Sequence, residues 1–209
     1  MKGNNMKNLF IAFEGIDGTG KTTHATLLKH KLEAIGYEVF CYRTIPSRGG
    51  WLLDNIALES KLNSARVKFG NYSVAVVEAI DRVLNENLYL SKLLECQNKK
   101  IIIIAERYNY GYLAKEQQRL SREEFELVKT IYDMAIKPDY VFYLELDEKK
   151  VIERINKRNY GFESETYLKN YKNAYERLGN FNLFNKIDVS GTMEETQKKI
   201  FDVINRLII

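Results

Sequence analysis

The architecture this sequence predicts is an α/β fold with a five-stranded parallel sheet between layers of helices. Two observations carry that prediction. Short continuous apolar runs recur along the chain, notably at residues 101–104 and 141–146, and strands covered on both faces read that way. Longer segments with helical spacing of apolar positions stand between them, so strand and helix alternate as in parallel βαβ units. The 209 residues make one ordinary domain or slightly more. With 45% hydrophobic and 29% charged residues, the chain has material for both a sizeable core and a solvated exterior. Disordered, collagen-like and low-complexity classes are thereby excluded.

The elements follow in order. Residues 9–13, Leu-Phe-Ile-Ala-Phe, form a first strand that runs into a glycine cluster. A helix is expected over 22–35, ended by Gly36, with the second strand at 37–42. From 73 to 94 the apolar residues Val74, Val77, Ile80, Leu84 and Leu88 recur at helical spacing. The runs at 101–104 and 141–146 supply the third and fourth strands. A fifth near 184–189 precedes a closing amphipathic helix at 193–207. Both prolines, Pro46 and Pro138, fall in expected loops, and the polar stretch 156–165 reads as a mobile flap. Neither a repeat nor a linker rich in Pro, Gly or Ser divides the chain, so one domain over 1–209 is expected.

The 32 Lys and Arg against 28 Asp and Glu leave a net charge of +4, mildly basic and suited to a small anionic ligand. Two cysteines, Cys41 and Cys96, make neither a disulfide framework nor a paired metal site, so a reducing compartment is expected. The polar opening, Met1 to Lys7, lacks the apolar stretch of a secretory signal, and no run is long enough to span a bilayer. A cytoplasmic protein with no membrane and no nucleic-acid partner is the expectation.

Directly after the first strand stands Gly15-Ile16-Asp17-Gly18-Thr19-Gly20-Lys21-Thr22, which fits the phosphate-binding pattern G-x-x-x-x-G-K-[ST]. Its glycines let the backbone curl until the N–H groups face phosphate oxygens, with a helix N-terminus behind them. Lys21 would reach the β- and γ-phosphates, and the Thr22 hydroxyl would ligate Mg²⁺. Asn185-Lys-Ile-Asp188 matches a guanine-reading pattern. However, no Asp between residues 23 and 184 is followed three residues later by Gly, as a GTPase switch requires. Glu106-Arg107, after the third strand, would emerge at the sheet's carboxyl edge, where ligands of α/β folds bind. Glu106 could hold Mg²⁺, a hard cation that prefers oxygen ligands. His24 and His30 read as surface positions of the first helix, neither a metal ligand nor a base.

The block from Phe13 to Thr23, Phe-Glu-Gly-Ile-Asp-Gly-Thr-Gly-Lys-Thr-Thr, closely resembles the phosphate loop of thymidylate kinases. Further blocks follow in that family's order. Ile45-Pro46-Ser47-Arg48 resembles its F-P-x-R segment, Asp81-Arg82 its A-x-x-D/N-R element, and Glu106-Arg107-Tyr108 its Asp-Arg-Tyr. Pro138-Asp139-Tyr140 resembles the strand leading into the family's lid, and 167–178 the helix after it. The resemblance implies a three-layer P-loop NTPase fold with a small helical lid at about 154–165. It implies ATP and Mg²⁺ as donor and cofactor, a nucleoside monophosphate as acceptor with dTMP the default, and a homodimer. Gly15, Asp17, Gly18, Thr19, Gly20, Lys21, Thr22 and Thr23 would hold ATP, with Thr22 and Glu106 at the metal. Arg48, Arg82, Arg107 and Asp17 would face the acceptor. Lys21, Arg107, Arg154 and Arg158 would bring charge to the migrating phosphoryl group; Arg154 and Arg158, four apart, share a helix face.

Besides Glu106 in place of the family's Asp, three positions depart from the family pattern. Glu78 stands where a phenylalanine usually stacks on thymine, Lys115 where a tyrosine packs on the sugar, and Gly111 where serine is usual. Glu78 also lies four residues before Arg82, a spacing that would brace that arginine with a salt bridge. The phosphate-handling residues are intact while the readers of base and sugar, Glu78 and Lys115, are altered. A nucleoside kinase, which would need a carboxylate near the second strand, and a non-catalytic nucleotide switch remain open alternatives.

Overall fold

The strands form where the aliphatic runs predict them. The computed structural model describes residues 8–43, 47–96, 101–157 and 164–208. β1 (Leu9–Glu14), β2 (Glu38–Arg43), β3 (Ile101–Glu106), β4 (Tyr140–Glu145) and β5 (Asn185–Asp188) pair in parallel in the order β2-β3-β1-β4-β5. After β1 the chain winds to one side for β2 and β3, then crosses to the other for β4 and β5. The carboxyl end of β1 is therefore the switch point of the sheet, where α/β folds open a ligand crevice. The register brings Phe13 and Arg43 level with Glu106, so these strand ends share one edge.

β1 lies in the middle, and Phe10, Ile11, Ala12 and Phe13 are fully buried, with Ile103, Ile104 and Phe142 beside them. Each large apolar side chain withdrawn from water in this way stabilises the fold by about 1.5–3 kcal/mol. The helices are α1 (Lys21–Ala34), α2 (Arg48–Glu59), α3 (Ala65–Phe69), α4 (Asn71–Leu94), α5 (Asn109–Glu116), α6 (Arg122–Tyr132), α7 (Glu148–Lys157), α8 (Glu165–Glu176) and α9 (Met193–Ile208). α6 begins on a reciprocal capping box between Ser121 and Glu124. No helix among the described residues is long and apolar enough to cross a membrane.

The helix expected from the 73–94 periodicity exists, but its apolar stripe divides. Val74 is buried, while Ile80, Leu84 and Leu88 are 44%, 66% and 61% exposed. The inner face of α4 carries Ala75, Ala79, Arg82, Val83, Glu86 and Leu90 instead. Two alanines let the helix approach its neighbours, and two charged residues belong to a buried polar interior, so hydrophobicity alone mislocates this face. α2, α3, α5 and α6 are helices that the sequence reading does not name, although Phe125, Val128 and Tyr132 of α6 stand at helical spacing behind its capping box. α2 opens on a glycine pair and α5 is eight residues long with a glycine inside, so neither offers a sustained pattern.

Candidate active site

The phosphate loop links the end of β1 to the start of α1. Lys21 is 5% exposed, and its Nζ donates to the carbonyls of Gly15 (2.9 Å) and Ile16 (2.7 Å). The ammonium thus rests against the loop's own backbone, with Asp17 4.0 Å away. Thr19 donates its hydroxyl to the Ile16 carbonyl at 2.9 Å and stiffens the curl. Gly18 adopts φ 84°, and a Cβ there would come within 3.0 Å of Val151 in α7. α7 consequently lies directly on the loop, at a point only glycine permits.

The end of β3 supplies the opposite wall. Glu106 faces two partners: the Thr22 hydroxyl donates to its Oε1, and Arg43 Nε lies 3.1 Å from its Oε2. Arg107 donates its backbone N–H to the Phe13 carbonyl (3.0 Å), then turns through a left-handed conformation at φ 67°. Strain of this kind at a non-glycine residue needs support from its surroundings. The guanidinium of Arg107 pairs with Asp17 across the crevice, so Glu106 and Arg107 have separate charged partners.

Glu14 supplies that support from beneath. It is completely buried, and its carboxylate accepts the Tyr108 N–H (2.9 Å), the Gly111 N–H (3.4 Å) and the Tyr175 hydroxyl (2.8 Å). Burial raises its carboxyl above the usual range, opposed by the Tyr175 hydrogen bond and the Arg107 charge. Gly111 now has a physical reason. A Cβ there would meet the Tyr175 hydroxyl at 2.8 Å and the Tyr171 hydroxyl at 3.1 Å, so the usual serine has no room.

Among the residues expected to face the acceptor, Arg48 opens α2, which Ser47 caps. The Arg48 N–H donates to Asp81 at 2.7 Å, which leaves its exposed side chain to project from a fixed helix start. Arg82 is 8% exposed, and its guanidinium lies 3.7 Å from the centre of the Tyr112 ring. The observed ion pair of Glu78 is with Arg66 of α3 (3.0 Å), where the helix spacing suggests Arg82. Arg66 also grips Glu116 through both guanidinium nitrogens, at 3.1 and 2.9 Å. Lys115 turns toward α8, its ammonium 5.4 Å from the Tyr171 ring centre.

Arg154 lies on α7, where one nitrogen donates to the Val189 carbonyl at 3.1 Å. Arg158 and residues 159–163 of the expected flap lie outside the described residues, as do Ile45 and Pro46. His30 is exposed as expected, but His24 is 5% exposed. Its ring packs beside Gly20, and Gln197 of α9 reaches its Nδ1 at 2.9 Å. Closure of α9 over α1 covers a position that the helix pattern alone leaves facing solvent.

Among the described residues no group of three or more His, Cys, Asp or Glu gathers as a metal cage. Thr22 and Glu106 nevertheless put two oxygen donors together, which fits Mg²⁺, an ion that takes few protein ligands when phosphates and water complete its shell. A cavity of about 240 Å³ is lined by Tyr108 and Asn109 of the turn after β3, together with Leu113, Phe125, Tyr132 and Arg177. No phosphate-loop residue, Arg48, Arg82 or Arg107 borders it. Sequence reasoning missed Glu14, Arg43, Arg66, Glu116 and Tyr175. Glu14 adjoins the loop motif and Arg43 ends a strand, which are weak signals; the other three meet the site only through tertiary contacts.

Comparison with known proteins agrees with this geometry. The family model described as thymidylate kinase matches residues 13–200. A probable thymidylate kinase of Methanocaldococcus jannaschii is 31% identical over 96% of this chain and 94% of its own length. The thymidylate kinase of Leptospira interrogans is 30% identical over 83% of each chain. A probable thymidylate kinase of Thermococcus kodakarensis is 28% identical over 90% of this chain and 92% of its own. With the family model spanning most of the chain and relatives matching it over nearly their whole length, the chain belongs to the thymidylate kinase family.

Proposed function

We propose that this protein transfers the γ-phosphoryl group of ATP to the phosphate of dTMP, giving dTDP and ADP. The observation that carries the reading is the pairing of Arg107 with Asp17 across the crevice, with Lys21 of the phosphate loop 4.0 Å from the same carboxylate. A phosphate oxygen of the acceptor forms the new bond to the γ-phosphorus while the bridge to the β-phosphate breaks. The acceptor is already ionised, so positioning and positive charge carry the rate, and no strong general base is needed.

Lys21 leaves the Gly15 and Ile16 carbonyls for the β- and γ-phosphates, while loop N–H groups from Gly15 to Thr23 bind the chain. Arg48 and Arg82 grip the acceptor phosphate in the charge-assisted manner that suits a guanidinium. Arg107 exchanges Asp17 for oxygens between the two substrates. Arg154 and Arg158, from a lid at about 154–165, add charge over the migrating group. Thr22 and Glu106 would hold Mg²⁺, which neutralises phosphate charge when bound. The nucleoside-kinase alternative lacks its carboxylate, since residues 39–53 contain none.

The altered base reader favours relaxed acceptor choice. Loss of an aromatic–base stack at Glu78 removes roughly 1–3 kcal/mol, up to about a hundredfold in affinity. Lys115 weakens exclusion of ribonucleotides. The exposed row Ile80, Leu84 and Leu88, with Trp51 (67%) and Leu52 (54%) on α2, supports a homodimer through that face. The reading of the chain as one cytoplasmic domain stands with it, supported by its two free thiols. Coupled ADP release with dTMP, dUMP, UMP, dCMP, dGMP and the free nucleosides tests the reaction. Turnover with dTMP is expected, and activity confined to nucleosides would overturn it. Sedimentation tests the dimer, where a monomer unaffected by Leu84→Glu would remove that assignment.

A further inference from the structure

Arg82 has a carboxylate one helical turn away on either side, Glu78 before it and Glu86 after it. Glu78 is 26% exposed and engaged with Arg66. Glu86, in contrast, is sealed on the inner face of α4 with 1% exposure. Facing its carboxylate are Tyr42 at the end of β2, Tyr108 and Asn109 in the turn between β3 and α5, and Arg82 on its own helix. Tyr132 of α6 lies within electrostatic reach. All five are more than nine-tenths buried. The Tyr108 hydroxyl is committed to the Ile136 carbonyl at 2.6 Å. Neither oxygen of Glu86, nor either polar atom of the Asn109 amide, has a partner in full hydrogen-bond geometry within the protein.

A buried carboxylate in that condition destabilises the fold, and such a group calls for a role other than stability. Its surroundings indicate which. Arg82 is held on one face by the Tyr112 ring at 3.7 Å, and a planar cation needs a second constraint to fix its direction. Asn109 follows Arg107 by two residues, so whatever orients Asn109 also anchors the strained turn that aims Arg107. We propose that Glu86 is a positioning residue of the acceptor site, its carboxylate holding Arg82 and the Asn109 turn in the arrangement that receives the acceptor phosphate. This rests on the acceptor role given above to Arg82.

Burial pushes the Glu86 carboxyl up to about 7, against the lowering by Asn109 and Arg82. The ionised form attracts the Arg82 guanidinium and the protonated form does not. The brace is therefore full above that value and released as pH falls through it. Glu86→Gln keeps the shape and removes the charge.

Wild type and Glu86→Gln are assayed with ATP and dTMP over roughly pH 6 to 9, the span in which both Glu86 and the acceptor phosphate titrate. At the alkaline end the variant is expected to raise the acceptor KM about tenfold, as for loss of one charge-assisted contact, with the KM for ATP moving less than about twofold. Wild type should lose acceptor affinity on acidification more steeply than Glu86→Gln, which retains only the titration of the acceptor phosphate itself. Superposable acceptor profiles, or equal effects on both substrates, would overturn the proposal. Should Glu86→Gln not fold, Glu86→Asp takes its place: a displaced pH step supports the brace and an unmoved one overturns it. If wild type turns over another monophosphate but not dTMP, the comparison is made with that acceptor. No turnover with any monophosphate overturns the functional reading and the brace together.

Discussion

The two sides of the crevice are built by different means. The side assigned to the donor is eight consecutive residues, Gly15 to Thr22, which offer backbone N–H groups, one lysine and one hydroxyl. Its stabilising contacts are local, with Thr19 bonded to Ile16 and Lys21 to Gly15 and Ile16. The acceptor side is assembled from α2, α3, α4, α5 and the turn after β3, joined by side-chain ion pairs such as Arg66 with Glu78 and Glu116. A backbone cradle binds phosphate whatever the neighbouring side chains are. A wall made of side chains changes its chemistry with each substitution, and Glu78, Lys115 and Gly111, three departures from the family pattern, lie on the elements of that wall.

That contrast can be broken at its donor end first. Lys21→Ala should lower turnover by about a thousandfold or more, because the lost ammonium meets charge that builds during transfer. Its melting temperature should stay near wild type, and near-normal turnover would remove the phosphate loop from the reaction. The next largest effect is expected at the acceptor turn. Gly111→Ser forces a side chain against the Tyr175 and Tyr171 hydroxyls and should cost about 1–3 kcal/mol of stability, read from chemical denaturation. An unchanged midpoint would mean that the two tyrosines yield freely.

Arg48→Ala should raise the acceptor KM about tenfold while the KM for ATP moves less than about twofold, since its side chain projects from a helix start that Asp81 fixes. Equal effects on both substrates would erase the division between the two sides. The smallest effect belongs to the Arg66–Glu78 pair, whose members are 22% and 26% exposed. A double-mutant cycle there should return about 1 kcal/mol or less, as partly solvated ion pairs do. A coupling near zero would show that Glu116, not Glu78, holds the Arg66 guanidinium, leaving Glu78 available to the base.

Much of the donor half was legible in the order of residues. The G-x-x-x-x-G-K-T spacing, the aliphatic runs and the terminal amphipathic helix each state a local preference that the fold keeps, because backbone curls and strand burial are set by neighbours in the chain. Each strand differs from its expected bounds by one or two residues at one end or both, the ordinary scatter of element boundaries. The acceptor half was legible only as separate residues. Arg48, Arg82 and Arg107 could be named, but not that Asp81 accepts the Arg48 N–H, that Arg107 pairs with Asp17, or that Arg66 takes Glu78.

The same line separates the helices. α4 shows its periodicity plainly, yet which face is buried was decided by the helices around it, leaving Ile80, Leu84 and Leu88 outside and Arg82 with Glu86 within. His24 illustrates the point on a smaller scale, since only the approach of α9 and Gln197 buries it. The sequence by itself therefore determined the strands, the phosphate loop and the family. Only the tertiary structure decided the partners of each charge, because ion pairs such as Arg66–Glu116 and hydrogen bonds such as Tyr175–Glu14 join residues 50 and 161 positions apart. Local propensity acts over a few residues, whereas the burial that makes such contacts strong exists only once the whole chain has closed around them.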